Sequence, residues 1–401
     1  MPFRPVERLR SIEPSQIREN MRIAREVNAI NLAQGRPDFP TDPAILMSAV
    51  RAIADGHNQY SVSWGLEELR VAVADSLAER FGVGFDPDAE VTITCGVTEA
   101  MVAAIMSLVQ DGDEVIVIEP AHENYVPAIR FAGGEPKFVT LRPPDYALTV
   151  DELEQAATER TRAIILNTPH NPSGHVFTRE ETRLLLDFCA RRNCYLITDE
   201  IYDQLLYDEY EHIMPAAEAR NTEIEEKGLI VTTGGLSKIY AATGWRLGYV
   251  AATSELTNYI RTVHDYLTIC APTPLQHAAV TALSLPESYY QDLRQSFTRR
   301  RAQIMSILKD TGFTPYEPQG AYYLMAEFEK WNFEGDSDAF TRMLILDGGI
   351  ATVPGTAFYY RDKELGKRLV RFSFAKSEET IESVRELLEH CYEREAAPLS
   401  G

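Results

Sequence analysis

Short apolar segments recur along the middle of the chain and alternate with stretches whose apolar residues have helical spacing. The apolar segments are rich in β-branched residues, and they lie at residues 91–94, 114–118, 137–140, 163–166, 195–198, 229–233 and 248–251. Helical patterns lie between many of them, at 98–109, 124–132, 150–157 and 179–192. This alternation predicts an α/β fold whose mostly parallel sheet is covered by helices on both faces.

The pattern changes on either side of this region. The first forty residues look irregular apart from a helical stretch at 14–27, and residues 66–81 have apolar positions at helical spacing. After Pro286 come a long helix at about 289–311, a strand at 322–328, a helix at 337–347, strands around 350–353 and 369–374, and a final helix at 378–394. We predict an N-terminal arm at 1–45, a large α/β domain at 46–285, and a smaller α+β domain at 286–401 against which the arm packs.

The chain has 401 residues, 45% of them hydrophobic and 25% charged, which is the balance of a folded globular protein. With 60 acidic and 39 basic residues the net charge is −21, and this charge repels phosphate backbones and anionic membrane surfaces. No apolar run approaches the roughly 20 residues that span a bilayer, and the polar N-terminus lacks the apolar core of a secretory signal. We expect neither nucleic-acid nor membrane partners.

The five cysteines, Cys95, Cys189, Cys194, Cys270 and Cys391, are scattered and odd in number. This spacing does not predict a disulfide framework, and without a CxxC pair it predicts no zinc site. Free thiols are the normal state of cysteine in a reducing compartment. We therefore expect a cytoplasmic protein that binds no metal.

Polar residues follow several predicted strands, where α/β sheets bind ligands. Lys238 follows the strand at 229–233, and Arg246 lies eight residues further on in a Gly-Trp-Arg-Leu-Gly frame. A lysine at the end of a sheet strand can form a Schiff base with an aldehyde, and a nearby arginine can bind a dianion. A lysine that is simply exposed to solvent is the alternative.

Two other strand ends carry candidate residues. Asp199 follows the strand at 195–198 and suits an ion pair with a cationic ligand, although it also suits the N-cap of the next segment. Asn171 follows the strand at 163–166 within an Asn-Pro dipeptide. Asn-Pro predicts a turn, which leaves the side-chain amide of Asn171 able to donate a hydrogen bond.

Two features point to anion binding. Residues 92–101 run from a strand through Gly96 into the start of a helix, whose free N–H groups and dipole attract anions. Arg371 lies inside the strand-like run VRFSFA, where a buried arginine needs a partner. That partner is either a substrate carboxylate, which arginine binds with two hydrogen bonds, or an internal salt bridge.

Together and in this order, these residues resemble the class I and II aminotransferases, pyridoxal-phosphate enzymes of fold type I. The resemblance extends from about residue 31 to the final helix and is closest to the broad bacterial subgroup that includes aspartate, aromatic and kynurenine aminotransferases. No single motif is specific, but the ordered set is. It consists of Gly35-Arg-Pro-Asp-Phe, Tyr60, Asn171-Pro-Ser-Gly, Asp199-Glu-Ile-Tyr202, Ser237-Lys238 and Arg371.

The resemblance implies pyridoxal 5′-phosphate as the cofactor and a role for each residue. Lys238 would form the Schiff base with the cofactor and then carry the proton between the substrate Cα and the cofactor C4′. Asp199 would keep the pyridine nitrogen protonated, and Asn171 and Tyr202 would bond the phenolic oxygen. The phosphate would be held by Val97, Thr98, Ser237, Arg246 and, from the neighbouring subunit, Tyr60, which implies a homodimer with shared active sites.

The same resemblance implies the substrate side of the site. Arg371 would bind the substrate carboxylate, Gly35 would lie close beneath the substrate, Tyr322 would lie near its side chain, and Asn171 would also contact it. The implied reaction is ping-pong transfer of the α-amino group of an amino acid to a 2-oxo acid. No second arginine is marked by the sequence as a partner for a dicarboxylate side chain.

Two positions depart from the family pattern. His122 stands where many relatives have an aromatic ring that stacks on the cofactor, and histidine can both stack and move protons. Gly235 stands where relatives often have a serine that contacts the phosphate, so that hydrogen bond is expected either to be missing or to be supplied by Ser237 or Thr233. Because the cofactor does the chemistry and the pocket selects the bond that breaks, a lyase or cyclase on the same fold stays open as an alternative.

Two other classes are not expected. Ligand-sensing relatives in transcription regulators carry an N-terminal DNA-binding module, for which the residues before the family core are too few. A dinucleotide-binding dehydrogenase requires GxGxxG after its first strand, and the stretch TITCGVTEA does not supply it.

Overall fold

The computed structural model describes residues 6–10, 12 and 14–396. The N-terminal arm contains helix α1 at Glu7–Arg10, helix α2 at Gln16–Glu26 and the short strand β1 at Ile30–Asn31. The side-chain oxygen of Ser15 caps α2 by accepting a hydrogen bond from the backbone N–H of Arg18 at 3.1 Å, which satisfies a donor that the helix leaves unpaired. The helix predicted at 14–27 is thus present.

The middle of the chain alternates strands and helices as the periodicity predicts. In chain order its elements are α3 Pro43–Ala54, α4 Glu67–Phe81, β2 Val91–Thr94, α5 Val97–Leu108, β3 Glu114–Glu119, α6 Tyr125–Phe131, β4 Glu135–Thr140, α7 Val150–Ala156, β5 Thr161–Asn167, α8 Arg179–Arg192, β6 Tyr195–Asp199, α9 Pro215–Glu218, α10 Glu223–Glu226, β7 Ile230–Gly235, β8 Gly248–Ala252, α11 Ser254–Leu267 and α12 Thr273–Leu283. Each predicted strand of this region occurs within two residues of its expected bounds.

Strands β2 to β8 form one sheet in the order β2-β8-β7-β6-β5-β3-β4. Strand β8 runs antiparallel to both of its neighbours, and the other pairs are parallel. Alternate residues of β3 belong to different hydrophobic clusters, because Val115 and Val117 pack on one face of the sheet and Ile116 and Ile118 pack on the other. Burial on both faces explains the continuous apolar runs, and the sheet confirms the predicted α/β fold.

The rest of the chain forms the smaller α+β part. Its elements are α13 Glu287–Asp310, β9 Thr314–Pro315, β10 Tyr323–Glu327, α14 Ser337–Leu346, β11 Ile350–Ala351, β12 Val353–Pro354, β13 Leu369–Ser373 and α15 Glu378–Ala396. Strands β12, β13, β10 and β9 form an antiparallel sheet in that order. Strand β1 pairs in parallel with β11, with Ile30 opposite Ile350, so the arm joins this part. The domain boundaries at 45/46 and 285/286 stay a prediction.

The sequence periodicity does not predict helices α3, α11 and α12. Helix α3 is apolar on several sides, because Ile45 and Ala49 are buried while Met47, Val50 and Ile53 are exposed. Arg51 is the one charged residue of its exposed side, so the helix lacks the broad polar face by which an amphipathic surface helix is recognised. Helices α11 and α12 follow the antiparallel strand β8, where the alternation of strand and helix ends.

None of the described helices combines the length and the apolar character that crossing a bilayer requires. Within the described residues, no group of histidine, cysteine, aspartate or glutamate side chains is arranged to hold a metal ion. The residues selected for their chemistry gather instead at one edge of the large sheet.

Candidate active site

The carboxyl ends of the parallel strands meet at one edge of the large sheet, and β8, which runs the other way, begins at that edge. A cavity of about 690 Å³ opens there. Ligand sites of α/β sheets occupy this position and have this size. The cavity is lined by most of the residues selected from the sequence, namely Gly35, Val97, Thr98, His122, Asn171, Asp199, Tyr202, Ser237, Lys238, Arg246 and Arg371.

Asp199 ends β6 as a buried carboxylate beside the cavity. Its Oδ2 accepts a hydrogen bond from Tyr125 Oη at 2.6 Å. Burial raises the pKa of Asp199 above its ordinary value of 3.8, although the hydrogen bond from Tyr125 and the charge of Lys238 act in the opposite direction. A carboxylate in this setting favours a cationic ligand group, which would compensate its buried charge.

Asn171 and Tyr202 present hydrogen-bond donors to the cavity. The backbone N–H of Asn171 donates to Asn167 Oδ1 at 2.7 Å, and its Oδ1 accepts from Arg371 Nη1 at 2.9 Å, which leaves its Nδ2 to donate to a ligand. Tyr202 Oη lies 3.4 Å from Tyr323 Oη. Burial raises the pKa of Tyr202 well above its usual range, so its hydroxyl keeps the proton that it donates.

The start of α5 forms a cradle for an anion. Gly96 precedes the helix with a φ of +78°, and a Cβ on it would lie 2.5 Å from Arg246 Nη2, so glycine allows the guanidinium to lie against this turn. The same Nη2 donates to Thr98 Oγ1 at 3.5 Å. The side-chain oxygen of Ser237 is buried without a hydrogen-bond partner. A helix start, an arginine and an unpaired hydroxyl together suit a phosphate.

Gly235 departs from the family pattern beside this cradle for a steric reason. A Cβ on Gly235 would lie 2.8 Å from Val97 Cγ2, so a serine there would require Val97 or its surroundings to shift. Thr233 Oγ1 already donates to the carbonyl oxygen of Thr198 at 2.7 Å, and Thr233 does not line the cavity. Of the two replacements expected from the sequence, Ser237 is the one with an unpaired hydroxyl.

Arg371 lies in β13 and is 2% exposed, yet it forms no salt bridge with a described residue. It donates hydrogen bonds to Asn171 Oδ1 and to the carbonyl oxygen of Ala33, and its Nε has no partner. Burial lowers the pKa of Arg371, because the charged form loses its hydration. The internal salt bridge that the sequence left open is therefore absent from the described residues, which favours a substrate carboxylate as the partner.

Lys238 and His122 both line the cavity. Lys238 is partly buried, and its Nζ lies 6.0 Å from the centroid of the Tyr322 ring. Burial, together with the positive charges of Arg371 and Lys238, lowers the pKa of His122 to about 3, and its Nδ1 has no hydrogen-bond partner. The imidazole is therefore neutral near pH 7, which suits a ring that stacks on a ligand better than one that donates a proton.

Two of the selected residues do not line the cavity. Tyr322 is fully buried and donates from its hydroxyl to the carbonyl oxygen of Gly35 at 3.0 Å. Its neighbour Tyr323, where β10 begins, lines the cavity in its place, because adjacent residues of an extended chain point to opposite sides. Tyr60 is 77% exposed and lies outside the cavity of its own chain.

Sequence reasoning missed other residues of the cavity. Asn167 ends β5 directly opposite Asp199 in the sheet register, and its Nδ2 donates to the Asp199 carbonyl oxygen at 2.8 Å. The strand-end rule that selected Asp199 would also have found it. Tyr125, Arg18 and Arg25 lie in helical patterns, where nothing in the sequence distinguishes them from surface residues.

Comparison with known proteins identifies the family. The model of the family described as aminotransferase class I and II matches residues 27–388. The chain belongs to this family. Fold type I and a mostly parallel sheet, expected from the sequence, are thereby confirmed for this aminotransferase.

Individual aminotransferases are similar over nearly the whole chain. A probable N-succinyldiaminopimelate aminotransferase of Mycobacterium tuberculosis is 34% identical over 392 residues, covering 95% of this chain and 97% of the relative. A methionine aminotransferase of Escherichia coli is 32% identical over 387 residues, covering 96% and 98%. The solved structure of N-succinyldiaminopimelate aminotransferase from Mycobacterium tuberculosis aligns with a TM-score of 0.92 and 34% identity, covering 97% of this chain and all of that chain.

Class I and II aminotransferases use pyridoxal phosphate, and this aminotransferase is a pyridoxal-phosphate enzyme. The cavity fits that group. The unpaired hydroxyl of Ser237 and the guanidinium of Arg246 suit its phosphate, and the buried carboxylate of Asp199 suits a protonated pyridine nitrogen. The donors of Asn171 and Tyr202 suit its phenolic oxygen.

Proposed function

We propose that this cavity is where the aminotransferase moves the α-amino group of an amino acid to a 2-oxo acid in two successive half-reactions. The observation that carries the proposal is the convergence of Lys238, Asp199 and Arg371 on one cavity. They bring together an amine, a buried carboxylate and a buried guanidinium, the last two without an ion-pair partner in the described chain. Each has its complement in the cofactor or in an amino-acid substrate.

Each residue of the cavity has a role that follows from its functional group. Pyridoxal phosphate, when bound, supplies an electron sink that makes the Cα–H bond of the substrate acidic. Arg371 binds the substrate α-carboxylate, and Lys238 Nζ is the general base that takes the proton from Cα. Asp199 holds a proton on the pyridine nitrogen, while Tyr202 and Asn171 donate hydrogen bonds to the phenolic oxygen.

A single half-reaction separates transamination from a lyase or cyclase reaction. Purified holoenzyme is mixed with a panel of amino acids without any 2-oxo acid, and the cofactor and products are identified by mass. We expect pyridoxamine phosphate and one equivalent of a 2-oxo acid. Retained pyridoxal phosphate with released ammonia, a thiol or a cyclised product would establish the alternative, and His122→Phe would then test whether His122 moves a proton.

We further propose a homodimer in which each active site draws on both chains. Exposed apolar side chains cluster in sequence on α3 and the loop after it, where the following are between 51% and 77% exposed: Met47, Val50, Ile53, Tyr60 and Val62. Such a surface is unusual on an acidic monomer and is typical of a protein interface. The loop that carries Tyr60 is fixed by Thr273 Oγ1, which donates to the Gln59 carbonyl oxygen at 2.7 Å.

Mixed dimers test this sharing. Tyr60→Ala and Lys238→Ala are purified separately, then subunits are exchanged in equal amounts and assayed at a cofactor concentration that does not saturate Tyr60→Ala. If sites are shared, each mixed dimer has one intact site, and the mixture regains about a quarter of wild-type activity. An activity equal to the mean of the two separate variants would show that Tyr60 acts within its own chain.

A cytoplasmic location is proposed on the state of the cysteines. Cys95, Cys189, Cys194 and Cys270 are free thiols. Cys189 and Cys194 are neighbours in space, since the backbone N–H of Cys194 donates to the Cys189 carbonyl oxygen at 3.1 Å, and they are not joined. Unbonded neighbouring thiols are typical of a reducing compartment.

A further inference from the structure

Two segments that the proposed function assigns to phosphate binding are joined by one side chain. One is the cradle at the start of α5, and the other is the loop at 59–66, which carries Tyr60. His264 of α11 lies between them and is fully buried. Its Nδ1 lies 2.7 Å from Glu99 Oε1 in the first turn of α5, and its Nε2 lies 2.7 Å from the Ser63 carbonyl oxygen. One imidazole therefore connects the cradle to the loop.

The hydrogen bonds around His264 favour its protonated form. The carbonyl oxygen of Ser63 can only accept, so Nε2 donates to it. The carboxylate of Glu99 accepts from Nδ1 with one oxygen and from the backbone N–H of Cys95, 2.6 Å away, with the other. The place of Glu99 in the first turn of α5, at the positive end of the helix dipole, favours the ionised carboxylate. The two side chains thus form a buried ion pair.

The charges near the imidazole act in the same direction. Burial lowers the pKa of His264, but the hydrogen bonds to Glu99 and to the Ser63 carbonyl outweigh burial, and the charge of Asp265 adds to them, so the pKa is raised above its ordinary value of 6.5. The thiol of Cys95 is neutral beside Glu99, because burial raises its pKa. The imidazolium is therefore held by groups from α5, α11 and the loop.

The carboxylate of Glu99 also fixes the cradle. The residue before α5 supplies no side-chain cap, and Glu99 binds the N–H of Cys95 just ahead of the helix instead. Val97 and Thr98, which line the cavity, lie between these two points of attachment. Their placement toward a phosphate therefore depends on a carboxylate that His264 holds.

The loop at 59–66 is held by side chains of α11 and α12. Gln276 of α12 binds both a hydroxyl and a backbone N–H of the loop. His264 of α11 adds the contact with Ser63, which is charge-assisted and for that reason stronger than a neutral hydrogen bond. Because the ring of Tyr60 is exposed, its position is set by the backbone of this loop and not by packing within its own chain.

We propose that His264, as an imidazolium, is a positioning residue that fixes the phosphate cradle and the Tyr60 loop relative to each other, so that phosphate binding depends on it. The inference rests on the proposed function, because Tyr60 serves the neighbouring site only in a dimer with shared sites. A buried ion pair is weak evidence for stability, since desolvation offsets its attraction. The fixed geometry that it gives to both segments accounts better for its place at this junction.

Pyridoxamine phosphate and pyridoxamine test the cradle without any reaction. Neither forms a Schiff base with Lys238, and they differ only in the phosphate, so the ratio of their dissociation constants isolates phosphate binding. Both are titrated by calorimetry into the full chain after its cofactor has been removed. We expect His264→Gln and Glu99→Gln each to weaken pyridoxamine phosphate about tenfold and pyridoxamine less than about twofold, as the loss of one charge-assisted interaction gives.

His175→Gln is the matched control. His175 forms the same kind of buried pair, with its Nε2 3.1 Å from Glu181 Oε2, but neither residue lines the cavity. Its replacement is expected to lower the melting temperature as His264→Gln does, while the ratio of the two dissociation constants stays within about twofold of wild type. If His264→Gln loses no more phosphate affinity than His175→Gln, the inference is overturned.

The pH dependence separates positioning by a cation from a merely structural role. Because the pKa of His264 is raised in the folded protein, its contribution is full below pH 6.5 and is lost as pH rises through the folded-state pKa. The advantage of wild type over His264→Gln in phosphate binding should therefore fall as pH rises above 6.5, whereas wild type and His175→Gln should stay alike. An advantage that does not fall with pH would overturn the role of the imidazolium.

Combination with Tyr60→Phe tests the link to the loop. This substitution is expected to weaken pyridoxamine phosphate about tenfold in the wild-type chain and less than about twofold in His264→Gln, where Tyr60 is no longer positioned. Equal effects in both backgrounds would overturn the link. Wild-type affinity in Tyr60→Phe would instead overturn the shared site of the proposed function, and the result for His264→Gln alone would then decide whether the cradle depends on His264.

Discussion

Replacement of Lys238 by alanine is expected to lower the rate of the first half-reaction by at least about 10⁴-fold. Lys238 is the one lysine among the described residues that line the cavity. In the proposed function, its loss removes both the amine that bonds to the cofactor aldehyde and the base that takes the Cα proton. The visible absorbance of the covalently bound cofactor should disappear, while the phosphate cradle of Thr98 and Arg246 still binds the cofactor.

Two further variants separate the loss of the covalent bond from the loss of a positive charge and from the loss of a lysine elsewhere. Lys238→Arg keeps a positive charge at the same position but cannot form the covalent bond, so it should lose the absorbance band as well. Lys330→Ala, at an exposed 3₁₀ turn, removes a lysine far from the chemistry and should keep the wild-type spectrum and rate. A wild-type spectrum in Lys238→Ala, or a half-reaction within tenfold of wild type, would rule out the role given to Lys238.

The large sheet could be predicted because its strands carry their own signal. Strand β3 contributes Val115 and Val117 to one apolar cluster and Ile116 and Ile118 to the other, so the run reads as continuously apolar. Helix α3 could not be predicted in the same way. Its outer face carries Met47, Val50 and Ile53 with Arg51 as its one charged residue, and so little polarity weakens the periodicity on which the prediction of surface helices depends.

The residues of the candidate site that could be predicted are reactive or polar side chains that come directly after a predicted strand. Asp199, Asn171 and Lys238 each follow a predicted strand, and the carboxyl ends of parallel strands meet at one edge. Arg371 was predictable for another reason, since a charge within an apolar run requires a partner.

Residues that reach the site from helices were not predictable. Tyr125 bonds Asp199 across 74 positions of sequence, and the contact between Ser15 and Glu123, which places α2 beside the cavity, spans 108. Such contacts depend on how separate elements pack, and local periodicity contains no information about them. For this reason Arg18 and Arg25 read as ordinary surface arginines until the helix is seen against the cavity.

Replacement of Asp199 by asparagine is expected to lower kcat by about 10²–10³-fold and to raise the melting temperature of the apo-protein at neutral pH. Asparagine still accepts the hydrogen bond from Tyr125, but it cannot stabilise a proton on the pyridine nitrogen, so the electron sink is weakened. Without the cofactor, the same change removes a buried negative charge that burial makes unfavourable. Steady-state kinetics and apo-protein melting curves measure the two effects.

The pH dependence gives the stability effect its sign. Because the pKa of Asp199 is raised in the folded state, the native protein binds this proton more tightly than the unfolded chain, and stability is lost as pH rises above the ordinary value of 3.8. The stabilisation by Asp199→Asn should therefore be largest near neutral pH and shrink as pH falls toward that value. Asp203→Asn is the matched control, since Asp203 pairs with Arg80 at 2.5 Å outside the cavity, and its loss should lower the melting temperature with little effect on kcat. A normal kcat in Asp199→Asn would exclude the role of Asp199 at the pyridine nitrogen. If the substitution instead stabilises the apo-protein and lowers kcat, the carboxylate of Asp199 serves cofactor binding at the expense of stability.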